Sequence, residues 1–117
     1  MLTIRKAQMQ AFENAQVERF LKELASHLRS TFSDHFSNYS NDDLLAFARN
    51  CCAWASGFDI DTEYDVRRFA EFVASYGPNL ADDHVWIGST LRRDDISGEE
   101  KMNILDNIEV QIIGVYS

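Results

Sequence analysis

Residues 4–31, IRKAQMQAFENAQVERFLKELASHLRST, hold the longest amphipathic pattern in the chain and set its fold class. Apolar side chains at Phe12, Phe20, Leu24 and Leu28, with Met9, Val17 and Leu21 beside them, recur at spacings of three and four and share one helical face. Arg5, Glu13, Glu18, Lys22 and Glu23 stand opposite. With Thr3 as N-cap, the pattern predicts a helix from Ile4 to Thr31, roughly 40 Å long at about 1.5 Å per residue. In so small a chain such a helix is either the spine of the core or a surface for dimerisation or partner docking.

Shorter helices follow. Ser33 to Ser40 is rich in Ser, Asp and Asn and reads as a loop. A second helix is expected from Asn41, with Asp42 and Asp43 at the positive end of its dipole and Leu45, Ala48, Cys52 and Ala55 on its inner face. Gly57 is placed to supply a left-handed stop. Phe58 and Ile60 form an apolar connector, and Thr62 with Asp65 caps a third helix that turns Val66, Phe69, Phe72 and Val73 inward and stops at Gly77-Pro78. After a loop from Asn79 to Asp82, a fourth helix over Asp83–Arg92 would bury Trp86, Ile87 and Leu91. Ser97 and Glu100 make a capping box for a fifth helix carrying Met102, Leu105 and Ile108 to about Gln111, ahead of an irregular tail. The expected architecture is all-α, a compact bundle of about five helices in a single domain over residues 1–117.

The chain carries a formal charge of −8, unevenly placed. Residues 1–36 hold five Lys/Arg against four Asp/Glu, and residues 37–117 hold six against fifteen. An acidic second half repels nucleic acid, whose binding depends on neutralising phosphates, and suits a basic protein partner. No stretch approaches the roughly 18 apolar residues of a membrane helix, and the N-terminus lacks an apolar signal core, so a cytoplasmic location is expected. Cys51 and Cys52 are neighbours in a helical pattern and read as two buried structural thiols, not a disulfide framework.

Sequence motifs for chemistry are thin. Asp59, Asp61, Glu63 and Asp65 have the alternation of a calcium loop, yet Tyr64 stands where such a loop needs glycine and Ala70 where it needs glutamate, which leaves capping as their role. His27, His35 and His84 lie in no zinc-ligand spacing, and the five glycines make no phosphate-cradling loop. Neither metal nor cofactor is expected, and no catalytic constellation stands out. The paired arginines Arg67-Arg68 and Arg92-Arg93 balance nearby acid at the surface or, as arginines often do, anchor an interface. Core packing is the expected role of Trp54 and Trp86.

The run Ile4-Arg5, Gln8, Met9, Ala11, Phe12, Phe20, His27-Leu28-Arg29 and Phe32, followed by Gly57-Phe58, Thr62-Glu63, Asp65-Val66, Phe69, Tyr76-Gly77-Pro78 and Trp86, resembles small helical bacterial proteins encoded near type VI secretion and other polymorphic toxin genes. The resemblance covers most of residues 4–92. It implies a non-enzymatic accessory protein, an immunity protein or a chaperone/adaptor, that binds a secreted toxin or effector. The partner-binding residues expected on that reading are Asp59, Asp61, Glu63, Arg67, Arg68, Asp82, Asp83, Arg92, Arg93, Asp94 and Asp95. The alternative is a structural or assembly component that forms a homodimer or larger assembly through its N-terminal helix.

Overall fold

The computed structural model describes residues 15–116, with side chains as far as Ile113. These residues form six helices: α1 (Ala15–Thr31), α2 (Asn41–Gly57), α3 (Glu63–Tyr76), α4 (Leu80–Asp83), α5 (Val85–Leu91) and α6 (Gly98–Tyr116). None of the described residues belongs to a strand, so the chain is a helical bundle. No helix among them is long and apolar enough to cross a membrane.

Helix α3 lies at the centre and packs against α1, α2, α4 and α6, while α5 bridges α4 and α6. Its sequence explains the position. Val66, Phe69, Ala70, Phe72, Val73 and Ala74 are all buried, so apolar surface covers more than one face and more than one neighbour is needed to bury it. Against it α1 sets Val17, Phe20, Leu21, Leu24 and Leu28, and α2 sets Leu44, Ala48, Cys51, Cys52 and Ala55. Each fully buried Leu contributes roughly 1.5–3 kcal/mol. The aromatic stripe of the opening helix is therefore a spine of the protein's own core over residues 15–31. The remainder of the predicted helix, residues 4–14, lies outside the described residues.

Local chemistry sets the helix ends. Ser40 forms a reciprocal capping box, its hydroxyl accepting from the Asp43 amide at 3.0 Å while the Asp43 carboxylate accepts from the Ser40 amide. Thr62 accepts from the Asp65 amide at 3.3 Å, and Ser97 from the Glu100 amide at 3.1 Å. The 32–40 connection stays ordered because Phe36 is fully buried, with Tyr39 and Phe47 edge-on to its ring, and because Arg29 donates to the carbonyls of Phe36 and Tyr39 at 3.2 and 2.9 Å.

Several expectations need correction. The 79–82 loop is largely helix α4, and the single fourth helix breaks at His84, which adopts an extended φ/ψ of −127/107 between α4 and α5. The cause is a close crossing: a Cβ on Gly88 would lie 2.0 Å from the Ala81 carbonyl oxygen, so α5 folds back over α4 only where a side chain is missing. Gly57 stays helical and the left-handed residue is Asp59, with φ 62. The tail is not irregular, since α6 runs on to Tyr116. Trp54 lies outside the core at 37% exposure, whereas Trp86 is half-buried and packs against the core as expected, edge-on to Phe72 and Tyr76.

Because Gly88 carries the α4–α5 crossing, Gly88→Ala is expected to lower the unfolding free energy by about 1–3 kcal/mol. Gly57→Ala, whose added Cβ meets nothing within 4 Å, should be neutral or stabilising by up to about 1 kcal/mol. Urea midpoints of the two variants check this, and equal midpoints would contradict the crossing.

Candidate functional site

The candidate site lies where the 57–62 strap, running from α2 to α3, meets the 92–97 segment, running from α5 to α6. Three backbone bonds hold the strap against the end of α2, from the amides of Phe58 and Ile60 to the Ala55 carbonyl and from Asp59 to Ser56, at 2.9–3.1 Å. From behind, the buried Lys101 donates its Nζ to the Phe58 carbonyl at 2.8 Å. The first turn of α6 presses on the same strap, since a Cβ on Gly98 would stand 2.3 Å from the Asp59 carbonyl oxygen. The backbone of this region is thus tied down on two sides.

Two clefts border the strap. The first, about 350 Å3, has a floor of Phe69 and Leu80 and a wall of Phe58 and the exposed Trp54, with Pro78 and Ala81 beside them. Asp82 and Arg92 close its rim with an ion pair, and Arg92 also donates to the Ala81 carbonyl at 3.3 Å. The second, about 420 Å3, is polar and is lined by Asp59, Asp61, Asp65, Ser97 and Glu99. Phe58 faces the first cleft and Asp59 the second, so one peptide unit separates apolar from acidic surface.

The expected partner-binding residues divide between surface and interior. Asp59, Asp61, Asp82 and Arg92 line the clefts, and Arg93, Asp94 and Asp95 belong to the segment joining them. Arg93 is held by Asp95 at 2.7 Å, which raises the guanidinium pKa and lowers that of the carboxyl through their shared hydrogen bond. Asp83 is exposed beyond Asp82. Glu63, Tyr64 and Arg67 line a separate cleft with His27, where Arg67 lies over the Tyr64 ring at 5.6 Å.

Arg68 is the correction in this set, because it is buried and not a surface base. It donates from Nη1 to Asp65 at 3.0 Å, from Nε to Asp106 at 2.9 Å and from Nη2 to Asn103 at 2.9 Å. Burial works against its charge, and the hydrogen bond and charge of Asp106 with the hydrogen bond of Asp65 more than offset that, leaving its pKa above the ordinary value. Nearby, the Tyr76 hydroxyl donates to Glu109 at 2.7 Å, and burial together with that carboxylate pushes the phenol up to about 12. These contacts fasten α6 to α3.

The other reactive side chains are engaged within the fold. His27 Nε2 lies 2.8 Å from Glu71 Oε2, joining α1 to α3, and His35 and His84 sit against aromatic rings. Among the described residues no group of three His, Cys, Asp or Glu side chains is placed to hold a metal ion. Burial pushes the Cys52 thiol up to about 12 and moves Cys51 in the same direction, so neither supplies a thiolate near neutral pH. Sequence reasoning missed Trp54 and Phe58 as site residues, though the Trp54–Gly57-Phe58 succession at a helix end was the available signal. No family model, curated protein or solved structure matches the chain.

Two measurements test this arrangement. Arg68→Met strands the buried Asp65 carboxylate and should cost about 3–5 kcal/mol in chemical denaturation, with Arg68→Lys recovering only part because an ammonium cannot reproduce the fork. A loss under about 1 kcal/mol would mean that Arg68 holds nothing together. The thiols should resist a disulfide reagent at about pH 8 in the folded state and both react once unfolded. Their raised folded pKa adds stability that is complete below the ordinary value of 9.0 and is lost as pH climbs from there toward about 12, because only the unfolded chain releases the protons.

Proposed function

We propose that the protein is a non-enzymatic, protein-binding accessory protein that holds a secreted bacterial toxin or effector in the cytoplasm of the producing cell, as an immunity protein or as a chaperone/adaptor. The observation that carries the binding role is the cleft opened by Trp54 and Phe58 near Asp59 and Glu99, carboxylates without an ion pair among the described residues. Asp59, Asp83, Asp94 and Glu99 form no ion pair among the described residues, whereas Arg49, Arg68, Arg92 and Arg93 are each committed to an internal carboxylate. A partially exposed aromatic beside a buried apolar floor is the kind of anchor position that concentrates binding energy, and the surrounding acid would steer a basic surface toward it. The choice of toxin or effector as partner rests on the resemblance of residues 4–92 to accessory proteins of toxin gene clusters.

Assembly with a second copy is the other reading, and its support has moved along the chain. Over residues 15–31 the apolar face of the N-terminal helix is buried in the core. The end of α6 instead exposes Val110 at 68% and Ile113 at 56%, with Ile112 beside them. A Val110→Lys change that converts a dimer to a monomer in light scattering would favour this reading.

Co-expression with the toxin encoded by the adjacent gene tests the proposal. The expected outcome is co-elution of the two proteins, with growth rescue marking an immunity protein and loss of toxin solubility or export on deletion marking a chaperone. A toxin that is neither bound nor restrained by this protein would sink the reading.

A further inference from the structure

We infer that the two clefts act as one docking groove for an extended segment of the partner protein in which an apolar side chain is followed, within a few residues, by lysine or arginine. The inference rests on the protein-binding role proposed above and adds the chemistry of the segment that is bound. Its basis is that two segments of the chain each pass from one cleft to the other. On one side Phe58 lines the apolar cleft and Asp59 the acidic one, and on the other Arg92 lines the first and Ile96, Ser97 and Glu99 the second. At about 3.3 Å per extended residue, a strand laid between these edges passes from apolar to acidic surface within a few positions.

Volume and charge select the occupant. The apolar cleft, at about 350 Å3, lies near the lower end of the roughly 300–1,000 Å3 of small-molecule pockets and takes one or two side chains. Its floor is apolar, with Phe69 and Leu80 almost fully covered, and the exposed Trp54 supplies a wall. The acidic cleft keeps a negative field because Arg92 is paired with Asp82 and Arg93 with Asp95, while Lys101, whose charge stays on the Phe58 carbonyl behind the strap, is outnumbered by Asp59 and Glu99. Asp59 and Glu99, which form no ion pair among the described residues, can meet an incoming cation. A Lys or Arg with its apolar stem running along the strap satisfies both surfaces at once.

The backbone at Asp59 provides a clean test. Its φ of 62 is one that Asn accepts as readily as Asp, so Asp59→Asn removes the charge and keeps the strap. The probe is the synthetic peptide Gly-Ser-Leu-Phe-Gly-Lys-Lys-Gly, with a control in which both lysines are glutamate, each titrated to about 1 mM into the full-length isotope-labelled protein and followed by amide NMR shifts. The lysine peptide should move the amides of Phe58, Asp59, Arg92 and Glu99 saturably, and the glutamate peptide should bind about tenfold more weakly or not at all. Trp54→Ser should weaken the lysine peptide about tenfold, and Asp59→Asn with Glu99→Gln should erase the preference for lysine.

Absence of shifts, equal binding of both peptides, or unchanged binding by a folded Trp54→Ser variant would each overturn the inference. Shifts clustered at another surface would do the same. Failure here is separable from failure of the accessory role. A toxin that co-elutes equally well with the Trp54→Ser, Asp59→Asn variant refutes the groove and leaves the role standing, while peptide binding at the groove without any toxin partner does the reverse.

Discussion

A guanidinium buried on a helix that touches four others has to be met by several acceptors at once, and the arrangement of this bundle follows from how Arg68 is met. Asp65 answers it from the preceding turn of α3, and Asp106 and Asn103 answer it from α6. Apolar packing alone would let α6 slide or rotate on α3, because Met102 and Leu105 present a surface with little directional content. The planar fork of Arg68 removes that freedom, since its donors reach two residues of α6 in one geometry only. Tyr76 with Glu109 fixes the same pair of helices one turn or so further on.

The docking of α6 has a consequence at its other end. With α6 held against α3, its first turn is driven into the 57–62 strap, where Gly98 meets the Asp59 carbonyl and Lys101 meets that of Phe58. The strap thus lies between the end of α2 and the start of α6, and its side chains are displayed outward from a backbone that has little room to move. Phe58 and Asp59 face different clefts because of the left-handed turn at Asp59, which redirects the chain between them. The cleft surface is therefore a product of helix docking and not of a flexible loop. Such preorganisation lowers the ordering cost of binding.

The parts of this fold legible in the sequence are those governed by local rules. The stops at Gly77-Pro78 and the caps at Thr62 and Ser97 depend on neighbours a few positions away, and the stripes of α1 and α3 depend on the helical repeat. What was not legible depends on contacts distant in sequence. Nothing local distinguishes Arg68 from Arg67, and only the approach of Asn103 and Asp106, some 35 to 38 positions later, makes one buried and the other exposed. The break at His84 had a weak sign in Gly88, but a glycine within a helix does not say which carbonyl will pass beside it. Trp54 failed the general rule for tryptophan because α2 turns its other side, with Cys51, Cys52 and Ala55, toward the core.

The distribution of charge links that surface to a partner. Unpaired like charges on one side of a small protein repel one another and reduce its stability, so carboxylates without an ion pair among the described residues are a standing penalty. Solubility alone needs no particular placement of that excess. Here Asp59 and Glu99 line the cleft that adjoins Trp54 and Phe58, and Asp94 lies on the segment that borders both. Acid set beside an apolar floor does two separable things for a basic partner: the field raises the rate of encounter, and the apolar contact lengthens the stay. Raising the ionic strength screens the first far more than the second, because the field acts through water and the floor acts by excluding it.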